Sequence, residues 1–502
     1  MMRIAIAGRR PRRGAPLTAV GLMLCVTACS GLLDVDNPNS VPASEIHNPR
    51  SAAALLSGVH SSVSRAINAV TLVEATASDE LDWVGSRDAW RALDAGNLSD
   101  PFNEFTDAAF PTLGQARWFA DEAITVMNEH RAAGRLAPGN VDPVLYPRAY
   151  LYGALAYVTI ADLFDRWAFS DVGAPAPAIA PANMRQVYDT AIVYLDRGIQ
   201  YADSLNTAGS TAVRPWRLAL YALRARAKHA RAIWDMIGPV PDAPANITNG
   251  GLASDGGAVA DAQAAIAQAL ATSSLGPDWK LTFAYSATTI GGDFGTWVND
   301  RTEMRLGDAY VFGSASNKTW DSTRVLDPIT AQRDPVLNTT ATAFKAGSVY
   351  PTFTALSVRE ARLIVAEGAL AAGDTTTFAT QINTLRALNT LPAWNQATPQ
   401  IRADSLLWYE RQVNLYLQGR RLADMYRFGI RAAKWQLSSE AVTQPGRFLP
   451  ITARECLSNP LIGGAACRIS PAAPSVEELR AGREAAPPLL RGSSSCRMAV
   501  SG

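Results

Sequence analysis

Several kinds of chemistry have no residues here to carry them. The 502-residue chain has four histidines, His47, His60, His130 and His229, scattered and without an HExxH run, and it has no CxxC. Neither a catalytic nor a structural zinc site therefore has its ligands in sequence. No GxSxG, phosphate-binding loop or dinucleotide fingerprint occurs. A net charge of +1 gives no general attraction for nucleic acid. Beyond residue 28 no apolar run reaches the roughly 20 residues that cross a bilayer. No metal, cofactor or nucleic-acid partner is expected. Hydrophobic residues at 48% and charged residues at 18% describe a folded globular chain.

What is present begins at the N-terminus. Val26-Thr27-Ala28-Cys29 has the form of a bacterial lipobox. Arg3, Arg9, Arg10, Arg12 and Arg13 form a positive leader, and the apolar stretch Ala15 to Ala28 has the length of a secretory segment. Cleavage before Cys29 would free an amine and a thiol for acylation. Each buried CH₂ adds about 0.8 kcal/mol, so two or three chains anchor firmly where one does not. The expectation is a signal peptide over 1–28 and a lipid on Cys29. Residues 29–50, with Pro38, Pro42 and Pro49, form a tether. In an oxidising compartment Cys456–Cys467 is a plausible disulfide, and Cys496 is left over in a flexible tail, 469–502.

Between tether and tail the pattern is helical. Apolar residues recur at helical spacing over Ser51–Ala69, Thr112–Arg131, Tyr146–Phe164, Met184–Leu205, Arg214–Met236 and Ala258–Ala271, and again over Leu356–Ala372, Thr375–Ala387, Ile401–Gly419 and Arg420–Phe428. The helices arrive mostly in pairs, in the manner of tetratricopeptide-like packing, although no fixed repeat is visible. Two stretches break the rhythm. Residues 75–109 are short, acidic and aromatic; residues 275–355 are rich in Gly, Thr, Asp and aromatics, and loops of that length are usually functional. In the clearest amphipathic helix, Arg217, Arg224, Lys228 and Arg231 read as a solvated face, and Trp216 and Trp234 as core.

Several stretches, in order, resemble the SusD/RagB family of nutrient-binding outer-membrane lipoproteins. Leu32-Leu33-Asp34-Val35-Asp36-Asn37-Pro38 after the cysteine is similar to the family's opening. Arg148-Ala149-Tyr150 through Asp162-Leu163-Phe164 resembles one of its helices. Glu360 to Glu367, Gly373-Asp374 and Ile382 to Arg386 resemble its helical hairpin. Glu410-Arg411, Gly419-Arg420-Arg421, Asp424 and Arg427 resemble its charged run, and Phe448 to Ile451 with Asn459-Pro460 its closing segment. Gln418 and Asn414 stand where the family commonly has Glu, which thins the ion network and leaves the fold.

The resemblance implies a mostly α fold over 51–468, with tetratricopeptide-like helix pairs supporting long irregular ligand-binding loops. It implies a lipoprotein on the outer face of the outer membrane that passes glycans or peptides to a SusC-type TonB-dependent transporter and does no chemistry. The family's ligand loops correspond to the two irregular stretches. Aromatic faces stack on sugar rings while carboxylates orient hydroxyls, so the candidate ligand residues are Asp79, Trp83 and Trp90 from the first and Trp297, Tyr310 and Trp320 from the second. Glu410, Arg411, Arg421, Asp424 and Arg427 are expected to pair with one another rather than to act catalytically. Two other readings remain. A lipid-anchored all-α glycosidase would use Asp79 and Glu80; a helical-repeat scaffold that binds only proteins would bury the aromatics of 275–355.

Overall fold

The computed structural model describes residues 43–238, 249–312, 322–342, 344, 350–462 and 467. Cys29, Trp320 and Cys496, together with the leader, most of the tether and the tail beyond 467, lie outside the described residues.

Helices dominate. Helix α1 (Ala52–Ala77) leads to strand β1 (Leu81–Trp83), short helix α2 (Asp88–Asp94) and long helix α3 (Glu104–Ala132). Then come α4 (Leu145–Leu163), α5 (Arg185–Thr207), α6 (Arg214–Ile237) and α7 (Gly256–Ala271). Each of α3 to α6 packs on the next in sequence, and α1 lies against α3 and α4. The irregular stretch holds β2 (Lys280–Phe283), a single π turn (Gly295–Asp300), β3 (Met304–Leu306) and α8 (Pro335–Thr342). Strand β4 (Phe353–Ser357) runs directly into α9 (Val358–Ala371), followed by α10 (Thr375–Leu388), α11 (Ala403–Asn414) and α12 (Arg421–Arg427). The strands pair only two at a time and antiparallel, β1 with β3 and β2 with β4. Among the described residues no helix is long and apolar enough to cross a membrane.

Local chemistry explains the helix ends. Pro215 sits in the first turn of α6, and Gly238, at φ 52°, closes it in the left-handed conformation that glycine tolerates best. Asp374 caps α10 by accepting from the Thr377 N–H at 2.9 Å, which sharpens the α9–α10 hairpin. Alanines let α7 sit close to α6 and α9: Ala222 and Ala225 face Ala258, Ala262 and Ala265, which face Ala361 and Ile364. A β-carbon on Gly368 would lie 2.5 Å from a Val259 methyl, so α9 needs glycine there.

Four sequence expectations change. Helix α3 starts at Glu104, not Thr112, and runs through Pro111, because Phe105, Ala109, Phe110 and Leu113 are buried on both sides of the missing rung. Helices α11 and α12 are separated by a turn in which Leu417 and Gly419 adopt φ of 58° and 70°. The basic face of α6 is a seam rather than a solvated surface. Arg224 bonds Asp261 of α7 and Asp196 of α5, Arg231 bonds Asp189, and buried Arg226 bonds Glu360 of α9. Trp234 is core as expected, whereas Trp216 is half-buried with the Arg148 guanidinium 4.4 Å above its ring. Cys456 and Cys467 are joined by a disulfide.

At the centre stands a charge network. Glu367, fully buried, accepts from Arg427, from His229 at 3.0 Å and from the Ala253 N–H at 2.7 Å. Asp424 accepts from Arg411 and Arg427, each at 2.8 Å. Burial drives Glu367 toward its neutral form, yet Arg427 and His229 outweigh it and hold the carboxyl well below the usual range. The expected mutual pairing is therefore present among Arg411, Asp424 and Arg427, while Arg421 turns to Asp79 and Glu410 to Arg386.

Candidate functional site

The cleft is built from the start of α3 and the π turn. Asn103 caps α3 by accepting from the N–H groups of Phe105 and Thr106, and its amide donates to the Ala89 carbonyl of α2 at 2.8 Å. That one side chain fixes α2 against α3, and so Trp90 against Phe105. Their rings stack 3.7 Å apart, 9° from parallel. Trp297, on the π turn, meets both edge-on, at 4.9 Å from Phe105 and 5.6 Å from Trp90. The turn is anchored because Gly295 has no side chain: a β-carbon there would lie 2.6 Å from the Tyr350 ring, whose hydroxyl donates to Asp300 at 2.6 Å. Single π turns in proteins often occur at functional positions.

Trp297 is half-buried and borders a cavity of about 360 Å³ walled by α1, α3 and the π turn. Arg65, Glu104 and Asp293 supply its charge, Thr112 a hydroxyl, and Phe105, Ala69 and Val73 its apolar wall. Glu104 is held by Arg87 at 3.0 Å. Asp293 has no ion pair among the described residues; burial raises its carboxyl above the ordinary range, and the charge of Arg65 offsets this only in part. Arg301 lies 4.9 Å over the Trp297 ring and, like Arg65, has no ion pair among the described residues. Close by, Glu303 closes the 83–87 turn, accepting from the Ser86 N–H at 2.7 Å, the Ser86 hydroxyl at 2.9 Å and the Arg87 N–H at 3.1 Å.

The six candidate ligand residues are dispersed. Trp297 lines the cleft. Trp90, 1% exposed, backs it from the interior and offers no face to a ligand. Trp83 is half-buried on β1, under Arg91 at 5.7 Å, and does not line the cavity. Asp79 and Tyr310 are interior residues. Arg421 grips Asp79 with two hydrogen bonds of 2.7 and 2.8 Å, and Tyr310 stacks on Tyr416 at 4.4 Å. Asp79 and Tyr310 are therefore corrected to the core: the guanidinium and the Tyr416 ring take up the surfaces a ligand would have used. Trp320 lies outside the described residues. Phe105, Arg65, Asp293 and Arg301 were not singled out in the sequence. Only Phe105 carried a usable signal, the Asn103 cap two residues before it.

No family model matches the chain, and no curated protein matches it. Solved structures do. A SusD-like protein from Bacteroides fragilis aligns with a TM-score of 0.55 at 11% identity, over 84% of this chain and 99% of its own. A SusD superfamily protein from Bacteroides vulgatus aligns at 0.52 and 13% identity, over 83% and 98%. A second Bacteroides vulgatus structure, provisionally described as a sugar-binding protein, aligns at 0.52 and 12% identity, over 83% and 98%. At such identities the likeness establishes the fold: the chain has a SusD-like fold, mostly helical and built from packed helix pairs.

Proposed function

With a SusD-like fold as the premise, we propose that this protein captures a glycan in the Trp297 cleft and delivers it unaltered to a SusC-type TonB-dependent transporter. A lipid on Cys29 would moor it to the outer face of the outer membrane. The observation that carries the reading is Trp297 itself: a half-buried ring, held edge-on by Trp90 and Phe105, beside a cavity with both acidic and basic groups. Such a ring stacks on the C–H face of a sugar, and Asp293, Arg65 and Thr112 can meet its hydroxyls. The sugar-binding description of one structural neighbour supports the same cargo. Binding is favoured over hydrolysis because Asp79 and Glu80, the carboxylates a glycosidase would have used, are committed inside. Asp79 is bound by Arg421, and Glu80 accepts from the Leu417 N–H at 2.9 Å.

Calorimetry of the purified chain against a panel of oligosaccharides and peptides tests the reading. At least one oligosaccharide should bind, and Trp297→Ala should weaken it about tenfold or more. Product formation by the chain alone, or no oligosaccharide binding at all, would overturn it. Palmitate labelling that disappears in Cys29→Ala tests the anchor.

A further inference from the structure

The wall formed by residues 293–297 has two sides. Asp293 and Trp297 line the glycan cleft; Phe294, between them, lines a separate pocket of about 300 Å³ reached from β2, β4, α8 and α11. We propose that this second pocket binds an organic carboxylate bearing an apolar group, a ligand class distinct from the cargo of the cleft. The proposal does not depend on the reading of the cleft.

Three observations carry it. The lining is mixed: Phe294, Phe344 and Phe353 supply apolar faces, and the amides of Asn68, Asn414 and Gln418, with several hydroxyls, supply polar ones. Its volume is at the lower end of the roughly 300–1,000 Å³ typical of ligand pockets, enough for a single ring or a dipeptide. Second, no carboxylate lines it among the described residues, while two cations do, Lys280 and Arg359. Third, those cations share one anion. Arg359 takes both oxygens of Asp278, at 2.6 and 2.9 Å, and directs its other N–H groups to Asn389 and Asn414. Lys280 reaches Asp278 only at 3.8 Å and is exposed. One positive charge is left over at the mouth, above an aromatic interior. A carboxylate would neutralise Lys280 while its apolar group entered among the phenylalanines.

The carboxylate could be that of a free acid or the C-terminus of a peptide. Calorimetry on the full chain separates them, using 3-phenylpropionate, its amide, the dipeptide Ala-Phe and its C-terminal amide. At least one acid should bind, and its amide should bind about tenfold more weakly. Binding by both acids means that the carboxylate and ring suffice; binding by Ala-Phe alone assigns the site to peptide C-termini. Lys280→Ala, on an exposed side chain, should weaken the acids about tenfold and leave the amides unchanged. Thr340→Trp, which fills the pocket, should abolish binding of all four. Trp297→Ala should leave acid binding intact whether or not the cleft takes glycans. The proposal is overturned if neither acid binds, if the amides match the acids, if Thr340→Trp still binds, or if Trp297→Ala removes acid binding.

Discussion

The helical interior and the cleft both contain arginines and carboxylates, and they treat them in opposite ways. Around Glu367 the charges are partnered, Arg427 and Arg411 on one side and Glu367 and Asp424 on the other, with the His229 ring bonded to Glu367. At the cleft Arg65, Asp293 and Arg301 have no ion pair among the described residues, and Trp297 keeps part of its ring exposed. A buried charge without a partner costs several kcal/mol, so the interior tolerates charge only as a closed set. At a solvent-facing cleft the penalty is small, and polar groups can be left ready for a ligand. Matched charge marks where the molecule holds itself together; unmatched charge beside an aromatic ring marks where it receives something.

The contrast is broken most severely by removing the hub. Glu367→Ala takes from Arg427 and His229 the carboxylate they share, leaving Arg427 with the Asp424 carboxylate alone, and should cost about 3–5 kcal/mol in denaturant unfolding. A result under about 1 kcal/mol would mean the network is ornamental to stability.

A second test uses a place where interior matching is incomplete. Glu74 and Glu80 each accept one backbone N–H from the 417–422 segment, at 2.7 and 2.9 Å, and each has a second buried oxygen with no hydrogen-bond partner among the described residues. Burial raises Glu74 to about 7, and burial together with the nearby Glu74 raises Glu80 well above its ordinary range, despite Arg421. A raised carboxyl means the folded state holds protons the unfolded chain has released. Its contribution is therefore present below the ordinary value of 4.5 and is lost as pH rises toward about 7. Glu80→Gln should leave stability at pH 4.5 nearly unchanged and raise it at pH 8. Equal stability of variant and parent at both pH values would refute the assignment.

At the cleft the same logic predicts the reverse pattern. Trp297→Ala should lower glycan affinity by about tenfold or more while shifting the unfolding midpoint little, because the ring is only half-buried. Smallest of all, Asp293→Asn should raise stability at neutral pH by about 1 kcal/mol or less, because burial holds this carboxyl above its ordinary range and Arg65 offsets that only in part. Asp293 can still matter to binding, and affinity measured with the same glycan separates the two roles.

Much of the helical body was legible in the sequence because helices are written locally. The α9–α10 hairpin followed from Gly373-Asp374, and α6 from its stripe of Leu220, Leu223, Ala227 and Trp234. The start of α3 lies ahead of the periodic stretch from Thr112, because Asn103 caps the helix and buried Phe105 and Phe110 carry it through Pro111. The cleft was mostly illegible, since its parts meet from far apart: its wall joins Arg65 and Phe105 to Asp293 and Trp297, and Glu303 beside it closes on Ser86 across 217 positions; in the core, Arg421 claims Asp79 across 342. Nothing near Asp79 or Tyr310 in sequence announces the guanidinium and the ring that bury them. Trp297 and Trp90 were found as residue types, but only the structure shows that one faces the cleft and the other supports it.

The π turn is a party wall. Asp293 and Trp297 furnish one room and Phe294 the other, so an occupant that moves this short segment on one side alters the space on the other. Linkage makes any such influence equal in both directions. The factor by which an organic acid changes glycan affinity must equal the factor by which the glycan changes acid affinity, and titrating one compound against a chain saturated with the other would show whether the two tenants notice each other.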